Sequence, residues 1–576
     1  MPEATRVPDL LRSRAATGTD DVALVVEGGE LLTYGAWHRR SSALARGLAC
    51  AGVRPGDRVG LFFDNAWWTD YASCYLAAHK AGAVAVPLSP RFSEPELVQV
   101  LDHAGVALLV CPPELASLLP PGELASPRDL EAGQSDDDLQ DPAGADDLAE
   151  IIYTSGTTGS AKGVACSHAS ILVHDLPGKR HGAASFLHAF PIGTNAGQEC
   201  VRMPLRRPAT AVVLPSFDPE MLCAAVARRR IRGLQLVPAM AQLVVTSGAA
   251  ERYDLSSVER LTLSSAPAPP ALWPRLAAAF PGASLFNAYA LTESGSARTV
   301  MRYDPARPEA VGRPVGRGEV RVADEAGAEL RAGETGEVLL RHGGGQRREY
   351  YRDPAATAAA FVGDWLRTGD LGYLDDEGCL HLVDRKKDVI ISGGLNIASV
   401  EVENSLYEHP AVEEAAVFGV PHDVLGQDVA AAVAVRAPTE ARELQAFVRE
   451  RLGEHKVPRR MFFVEGLPRN QSGKVVKREL RERFAEQPAA SAPTPPRSDL
   501  EAAVAAAWQD VLGLADVGVH DDFFELGGHS LAAAQVVARL QDAFDVELSP
   551  TAVFERPTVA ELATTVSDAV TAVRAR

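Results

Sequence analysis

Close-set cysteines are missing from this chain. Its seven stand at 50, 74, 111, 166, 200, 223 and 379, so no CxxC zinc or redox spacing exists, and reduced, buried thiols are expected. No run of about eighteen apolar residues occurs, and the opening MPEATRVPDLLRSR lacks the apolar core of a secretion signal. A soluble, cytoplasmic protein without a membrane partner is the expectation. Positive charge is also short. Against 76 Asp+Glu there are 57 Lys+Arg, a formal net charge of -19, the wrong sign for a chain whose main partner is a nucleic acid. Only 8 of the basic residues are lysines, which makes each lysine inside a motif more informative.

What is present is a large globular chain. Its 576 residues, 46% hydrophobic and 23% charged, correspond to about four compact units. Residues 129 to 150 break all periodicity and hold nine carboxylates with no Lys or Arg, which predicts an exposed acidic loop. The stretch 486 to 497, EQPAASAPTPPR, has the composition of an extended linker. Between these breaks, short apolar runs (RVGLFF, AVAVPL, ALLVC) alternate with helix-like stretches (SSALARGLACAG, ELVQVLDHAG), the pattern of βαβ units in parallel sheets. Near 384 the texture changes to a small α+β unit, with VEEAAVFGVP and DVAAAVAVR as strands and ASVEVENSLYEH and ARELQAFVRERL as helices. After the linker only helices are predicted, one with Val559, Leu562, Ala563, Val566 and Val570 on a single face. The expected architecture is an α/β subdomain with parallel sheets (1–383), a small α+β subdomain (384–485), a Pro/Ala linker (486–497) and an all-α four-helix bundle (498–576).

Six strings carry chemistry. In YTSGTTGSAKGV, residues 153 to 164, Gly156, Gly159 and Gly163 allow close backbone approach to an anion, while Thr154, Ser155, Thr157, Thr158 and Lys162 supply donors. It is a phosphate cradle without the Gly-Lys-Ser/Thr ending of a Walker A loop. The string resembles the phosphate loop of adenylate-forming enzymes, the superfamily of acyl-CoA synthetases, nonribosomal peptide synthetase adenylation domains and luciferases. Four further motifs of that superfamily follow in order: NAYALTE (287–293), RTGD (367–370), DRKKD (384–388) and NQSGK (470–474). The resemblance spans roughly residues 10 to 485.

What the resemblance implies is an enzyme using ATP and Mg²⁺. Tyr289 would lie against adenine, with core packing as its competing role. Thr292 and Glu293 would hold phosphate and metal, Glu293 being the metal ligand. Asp370 would accept from the ribose hydroxyls or cap a turn, and Arg385 would offer its fork to ribose or phosphate oxygens. Lys474 would offset the repulsion between the substrate carboxylate and the ATP α-phosphate. Lys387 would be the hinge on which the small subdomain turns. That turn would bring Gly393 and Gly394 to the site as a tunnel for a thiol arm, although the pair can also be only a tight turn.

The sixth string, DDFFELGGHSL, precedes a predicted helix and resembles the attachment site of a peptidyl carrier protein, with 4′-phosphopantetheine carried on Ser530. A phosphopantetheinyl transferase is then an implied partner. By the same resemblance the acyl pocket would be lined by Asn195, Ala196, Glu199, Leu236, Thr262, Ser264, Ala288, Ser296 and Ala297. Amino-acid-activating relatives place Asp where Asn195 stands, to pair with an α-ammonium, so a small carboxylic acid other than a standard α-amino acid is expected. Glu199 either faces a donor group of the substrate or points to solvent.

No HHxxxDG or GxSxG string occurs, so a downstream acyl-accepting enzyme is expected. The chain then reads as an adenylating ligase that loads its own carrier, in natural-product biosynthesis. A free-CoA ligase with an appended carrier and a noncatalytic nucleotide-binding scaffold are the alternatives. The charge of -19 is uneven: residues 498 to 576 hold 13 Asp+Glu against 4 Arg, while residues 384 to 485 hold 16 of each sign.

Overall fold

The computed structural model describes residues 5–140, 142–154, 161–173, 185–344, 346–422, 425–470, 473–485, 495–514, 517–521, 523, 526, 528 and 530–574. The chain divides into two compact units, Met1–Lys387 with Arg469–Val476, and Asp388–Pro468 with Lys477–Arg576.

The first unit is built on a 14-stranded and a 7-stranded sheet. In the larger one, Val22–Val26, Thr210–Val213, Ser185–His188, Gly233–Leu236, Arg260–Leu263 and Ser284–Ala290 lie side by side and parallel. Helices such as Pro219–Arg229 and Pro238–Thr246 make the crossovers that parallel pairing demands. The smaller sheet places Arg58–Phe62 between Val84–Leu88 and Val106–Val110, all parallel. These strands are buried on both faces, which explains why RVGLFF, AVAVPL and ALLVC read as continuous apolar runs rather than alternating ones. The parallel ends nearest the functional residues are carboxyl ends, where open α/β sheets place ligands.

Two expectations change in this unit. Strand Leu380–Arg385 pairs with Trp365–Leu374 so that Asp384 and Arg385 stand opposite Leu371 and Asp370, which keeps both residues in the first unit. The division therefore falls between Lys387 and Asp388 instead of at 384, and the loop carrying Lys474 goes with the first unit.

The acidic stretch is also less free than its composition suggested. Pro127–Glu131 is a short helix capped by Ser126, and residues from 148 form a strand. Arg12 pairs with Asp138 at 2.8 Å, Arg40 with Glu131 at 3.0 Å, and Arg46 donates to the carbonyls of Ser135 and Asp137. Glu131, Asp136 and Asp138 are answered by arginines of the two N-terminal helices, Val7–Thr17 and Tyr34–Cys50. That is invisible to a window that sees only residues 129 to 150.

The second unit holds a five-stranded sheet in which the long pair Val412–His422 and Gly426–Val435 runs antiparallel. Helices Ser399–Tyr407 and Ala441–Leu452 cover one face over a core that includes Ile397, Val402, Val417 and Val448. A separate core belongs to the C-terminal helices Asp499–Leu512, Ser530–Phe544, Ala552–Glu555 and Val559–Arg574. Trp508 and Phe523 meet edge to face in its centre. Val559, Leu562, Ala563 and Val566 are buried there and Val570 packs against them, as the 3.6-residue period requires. Most of the 486–497 linker lies outside the described residues.

Candidate active site

The phosphate string joins two antiparallel strands, Leu148–Thr154 and Lys162–Ser167, in a register that sets Thr154 opposite Lys162. Ser155, Gly156, Thr157, Thr158 and Gly159 lie outside the described residues. The base of the hairpin is fixed: the Thr154 hydroxyl donates to the Lys162 carbonyl at 3.5 Å, and Lys162 Nζ sits 5.0 Å from the centroid of the Tyr350 ring. Tyr350 in turn donates its phenol to Glu293 Oε1 at 3.0 Å. Tyr350 was not singled out in the sequence, where it is one aromatic in REYYRDP with no spacing signal to mark it.

Asp370 is the centre of a second group. It is 6% exposed, and its two oxygens accept from Tyr289 Oη at 2.6 Å and pair with Arg385 Nε at 3.1 Å. The pairing with Arg385 follows directly from strand register, since the two are cross-strand neighbours. Burial, and then the charge of Asp370, push the Tyr289 phenol well above its usual range, so it stays a donor. A carboxylate has about four acceptor directions, so the ribose hydroxyls of a nucleotide could still be accommodated. The motif's Arg367 has a different task, holding Glu337 at 2.9 Å.

Lys474 completes the group. Its loop is a tight turn in which Asn470 Oδ1 accepts from the Lys474 amide at 2.9 Å, and Arg469 bridges to Val475. The ammonium is pulled down to about 8 by its removal from water, with Arg385 and Lys387 adding to the depression and Asp370 and Glu293 opposing it. Three of the sequence-selected residues, Arg385, Asp370 and Glu293, thus lie within electrostatic reach of Lys474.

Glu293 makes no ion pair among the described residues, and the Thr292 side chain has no hydrogen-bond partner there. An unneutralised carboxylate beside a hydroxyl suits a hard cation such as Mg²⁺, which is held by few protein oxygens and completes its shell with phosphates and water. No cluster of three or more His, Cys, Asp or Glu able to hold a metal exists among the described residues.

Of the nine expected acyl residues, four lie on or just after three neighbouring parallel strands, three lie on one helix, and Ser296 and Ala297 precede strand Arg298–Arg302. Leu236, Thr262 and Ala288 sit at or near the carboxyl ends of Gly233–Leu236, Arg260–Leu263 and Ser284–Ala290, and Ser264 follows the second. Asn195 and Ala196 open helix Asn195–Arg206, which Thr194 caps through the Gly197 amide at 3.1 Å. Leu236 and Ala297 are fully buried in separate apolar cores, and Ser296 accepts from the Gly343 amide. Glu199 follows neither reading the sequence offered. It pairs with Arg202 at 2.9 Å and Arg206 at 2.6 Å, so its charge is answered inside the protein.

Gly393 and Gly394 have φ of 57° and 81° and form the two-residue tip of an exposed hairpin between Ile390–Ser392 and Leu395–Ile397. Both positions require the left-handed region, the geometry of a type I′ turn. Ser530 is the first residue of a 15-residue helix, and its side chain lies outside the described residues.

These features match known proteins along the whole chain. Residues 11–351 match the model of the AMP-binding enzyme, 401–474 its C-terminal domain, and 502–566 the phosphopantetheine attachment site. The chain belongs to the AMP-binding enzyme family. This AMP-binding enzyme is 36% identical over 491 residues to a feruloyl-CoA synthase of an Amycolatopsis species, covering 82% of this chain and 98% of that one. It is 30% identical over 585 residues to a component of the linear gramicidin synthase of Brevibacillus parabrevis, covering 97% of this chain and 7% of that one. Its fold resembles ATP-bound MatB from Rhodopseudomonas palustris, with a TM-score of 0.76 at 28% identity over 84% of this chain and 99% of that one.

The family makes this AMP-binding enzyme an adenylate-forming ligase that uses ATP and Mg²⁺. The attachment domain implies covalent 4′-phosphopantetheine and a transferase that installs it. Among the described residues no helix is long and apolar enough to cross a membrane.

Proposed function

We propose that the chain activates a small carboxylic acid, other than a standard α-amino acid, as its acyl-adenylate and loads it onto the arm of its own carrier. A substrate carboxylate oxygen bonds to the α-phosphorus of ATP, and the bond from that phosphorus to the bridging oxygen of pyrophosphate breaks. Lys474 is the cation that draws the two anions together and stabilises the charge developing between them. The observation that carries the reading is the place of its ammonium, within reach of Arg385, Asp370 and Glu293. Asp370 and Tyr289 hold the nucleoside, Glu293 the Mg²⁺ that neutralises phosphate charge, and Thr154 and Lys162 flank the phosphate loop. Lys387, next to the division between the units, is the hinge, and Ser530 carries the arm that supplies the thiol. The preference against an α-ammonium rests on Asn195, which hydrogen-bonds but cannot neutralise a cation.

The carrier and the similarity to a gramicidin synthase support a place in cytoplasmic natural-product assembly, where a downstream enzyme takes the acyl thioester. A second reading, a ligase for free CoA, is favoured by the feruloyl-CoA synthase likeness. One experiment separates them. With phosphopantetheinylated enzyme, ATP and a panel of small acids, acid-dependent pyrophosphate release and a mass increase on the carrier are expected, and Ser530→Ala keeps the first and loses the second. Acyl-CoA formation by Ser530→Ala at an undiminished rate establishes the free-CoA reading instead.

A further inference from the structure

Arg348 is 2% exposed and makes no ion pair among the described residues. Its Nη1 donates to the Thr292 carbonyl at 2.7 Å and to Asn195 Oδ1 at 3.4 Å. Its Nε and Nη2 are buried without a hydrogen-bond partner. These two atoms form one edge of the guanidinium, the fork that receives the two oxygens of a carboxylate. Arginine does not discard its proton when buried, so an unanswered guanidinium is among the most costly groups a protein interior can hold. Only glycine fits between Arg348 and its neighbour: a Cβ at Gly295 would come 3.7 Å from Nε and 2.4 Å from the His342 ring. His342 supplies no answering charge, being held neutral, with a pKa near 4, by burial and by Arg348 itself.

Two arginines on or beside the strands that carry Thr262 and Ala288 have the same sign. Arg260 lies with its guanidinium carbon 3.6 Å from the Phe286 ring centroid and donates to the Thr262 hydroxyl at 3.3 Å. Arg298 stands opposite Ala290 in the strand register. Neither makes an ion pair among the described residues, and the nearby carboxylate, Glu199, is already bound by Arg202 and Arg206. A site that would hold an α-ammonium needs a carboxylate at position 195. Here Asn195 is instead hydrogen-bonded to a buried cation, so the local charge preference is reversed.

We propose that the acyl site selects short dicarboxylic acids, with the second carboxylate received by the Nε and Nη2 edge of Arg348, which is the specificity-determining residue beside Asn195. This rests on the reading of Asn195 as part of the acyl pocket of an adenylating enzyme.

The test is acid-dependent pyrophosphate release by the full-length enzyme with matched pairs, succinate against butyrate and phthalate against benzoate. At least one diacid is expected to exceed its monoacid partner tenfold or more in kcat/KM. Arg348→Met should reduce that ratio at least tenfold, and Arg348→Lys should restore part of it. Asn195→Asp removes no buried bulk and places a carboxylate beside Arg348; it should lower the same ratio even if Arg348→Met folds poorly. Equal turnover of diacid and monoacid overturns the proposal. So does an Arg348→Met enzyme that raises the KM for ATP while leaving the ratio unmoved, because the guanidinium then serves the nucleotide phosphates. Turnover confined to monoacids sinks the diacid assignment and leaves adenylation standing, whereas no turnover of any acid removes adenylation and the proposal together.

Discussion

The Tyr289 phenol donates to Oδ2 of Asp370 at 2.6 Å, joining the nucleotide motif at 287–293 to the one at 367–370. Both groups are withdrawn from water, and the bond holds Asp370 in place against the pull of Arg385 on its other oxygen. Tyr289→Phe keeps the ring and removes the donor. A buried carboxylate that loses one partner costs about 1–3 kcal/mol. The expected result is a several-fold higher KM for ATP, a smaller change in kcat and a lower Tm. An unchanged KM for ATP would show that Asp370 positions no nucleotide.

Lys474 gives a pH signature. Removal from water pulls its ammonium from 10.5 down to about 8, so the cation is mostly present at pH 7 and fades as pH rises through 8. Below 8 the group is charged and able to attract two anions; above it the attraction is lost. Acid-dependent pyrophosphate release at subsaturating ATP should therefore fall on the alkaline side with an apparent pKa near 8. Lys474→Ala should lower the rate on the order of 10²–10³-fold, typical of a lost charge-stabilising donor, and flatten that limb. An alkaline limb that persists in Lys474→Ala assigns the titration elsewhere.

A buried ion pair sets up a stability prediction. Arg202 and Glu150 are both fully buried and bonded to each other, and Tyr75 donates to the second Glu150 oxygen at 2.8 Å. Removing one partner leaves an uncompensated charge, so Arg202→Met should destabilise the first unit by about 3–5 kcal/mol. The double variant Arg202→Met, Glu150→Gln should recover much of that loss. Denaturant unfolding of the three proteins measures it; a double variant no more stable than Arg202→Met contradicts the account.

Much of this site was legible because its residues sit in strings that are local in sequence: Tyr289 with Glu293, Asp370 with its turn, Lys474 in its loop. Strand identities were legible for the same reason, since double-sided burial makes each run apolar. What was not legible arises from distant pairing. Tyr350 reaches Glu293 from 57 positions away, and Arg348 is hydrogen-bonded to Asn195 over 153. In the string QRREYYRD nothing separates the buried Arg348 from the exposed Arg347 beside it. Glu199 was placed in the pocket by resemblance alone; its two arginines lie one turn and two turns along the same helix, where an ordinary surface ladder gives the same spacing.

Substitutions in the glycine hairpin test whether the two half-reactions can be separated. Its tip carries Gly393 and Gly394 at positive φ, flanked by Ile391 and Leu395, which are more than half exposed. A Cβ at Gly394 meets nothing within 4 Å, so Gly394→Ala is opposed only by backbone conformation, about 1 kcal/mol. If the tip serves only the thiol step, Gly394→Ala and a bulkier Gly394→Val should leave pyrophosphate release near its normal rate and slow carrier loading, Val more than Ala. Equal loss in both assays would mark the pair as a folding element.

Charge distribution yields the last prediction. Arginines of the N-terminal helices already answer the acidic stretch at 129 to 150, as Arg12 does for Asp138 and Arg40 for Glu131. In the C-terminal domain two pairs join opposite charges among the described residues, Arg497–Glu501 at 2.7 Å and Arg539–Asp510 at 3.1 Å, while the sequence from 498 to 576 holds 13 Asp+Glu against 4 Arg. The composition leaves this domain with a net negative charge. Encounter with a basic transferase or acceptor should then be steered by a field that salt screens over about 8–10 Å at physiological ionic strength. Raising NaCl from 50 to 500 mM should slow the second-order rate of phosphopantetheinylation several-fold while pyrophosphate release changes little. A second-order rate that is insensitive to salt would leave the acidic domain without a steering role.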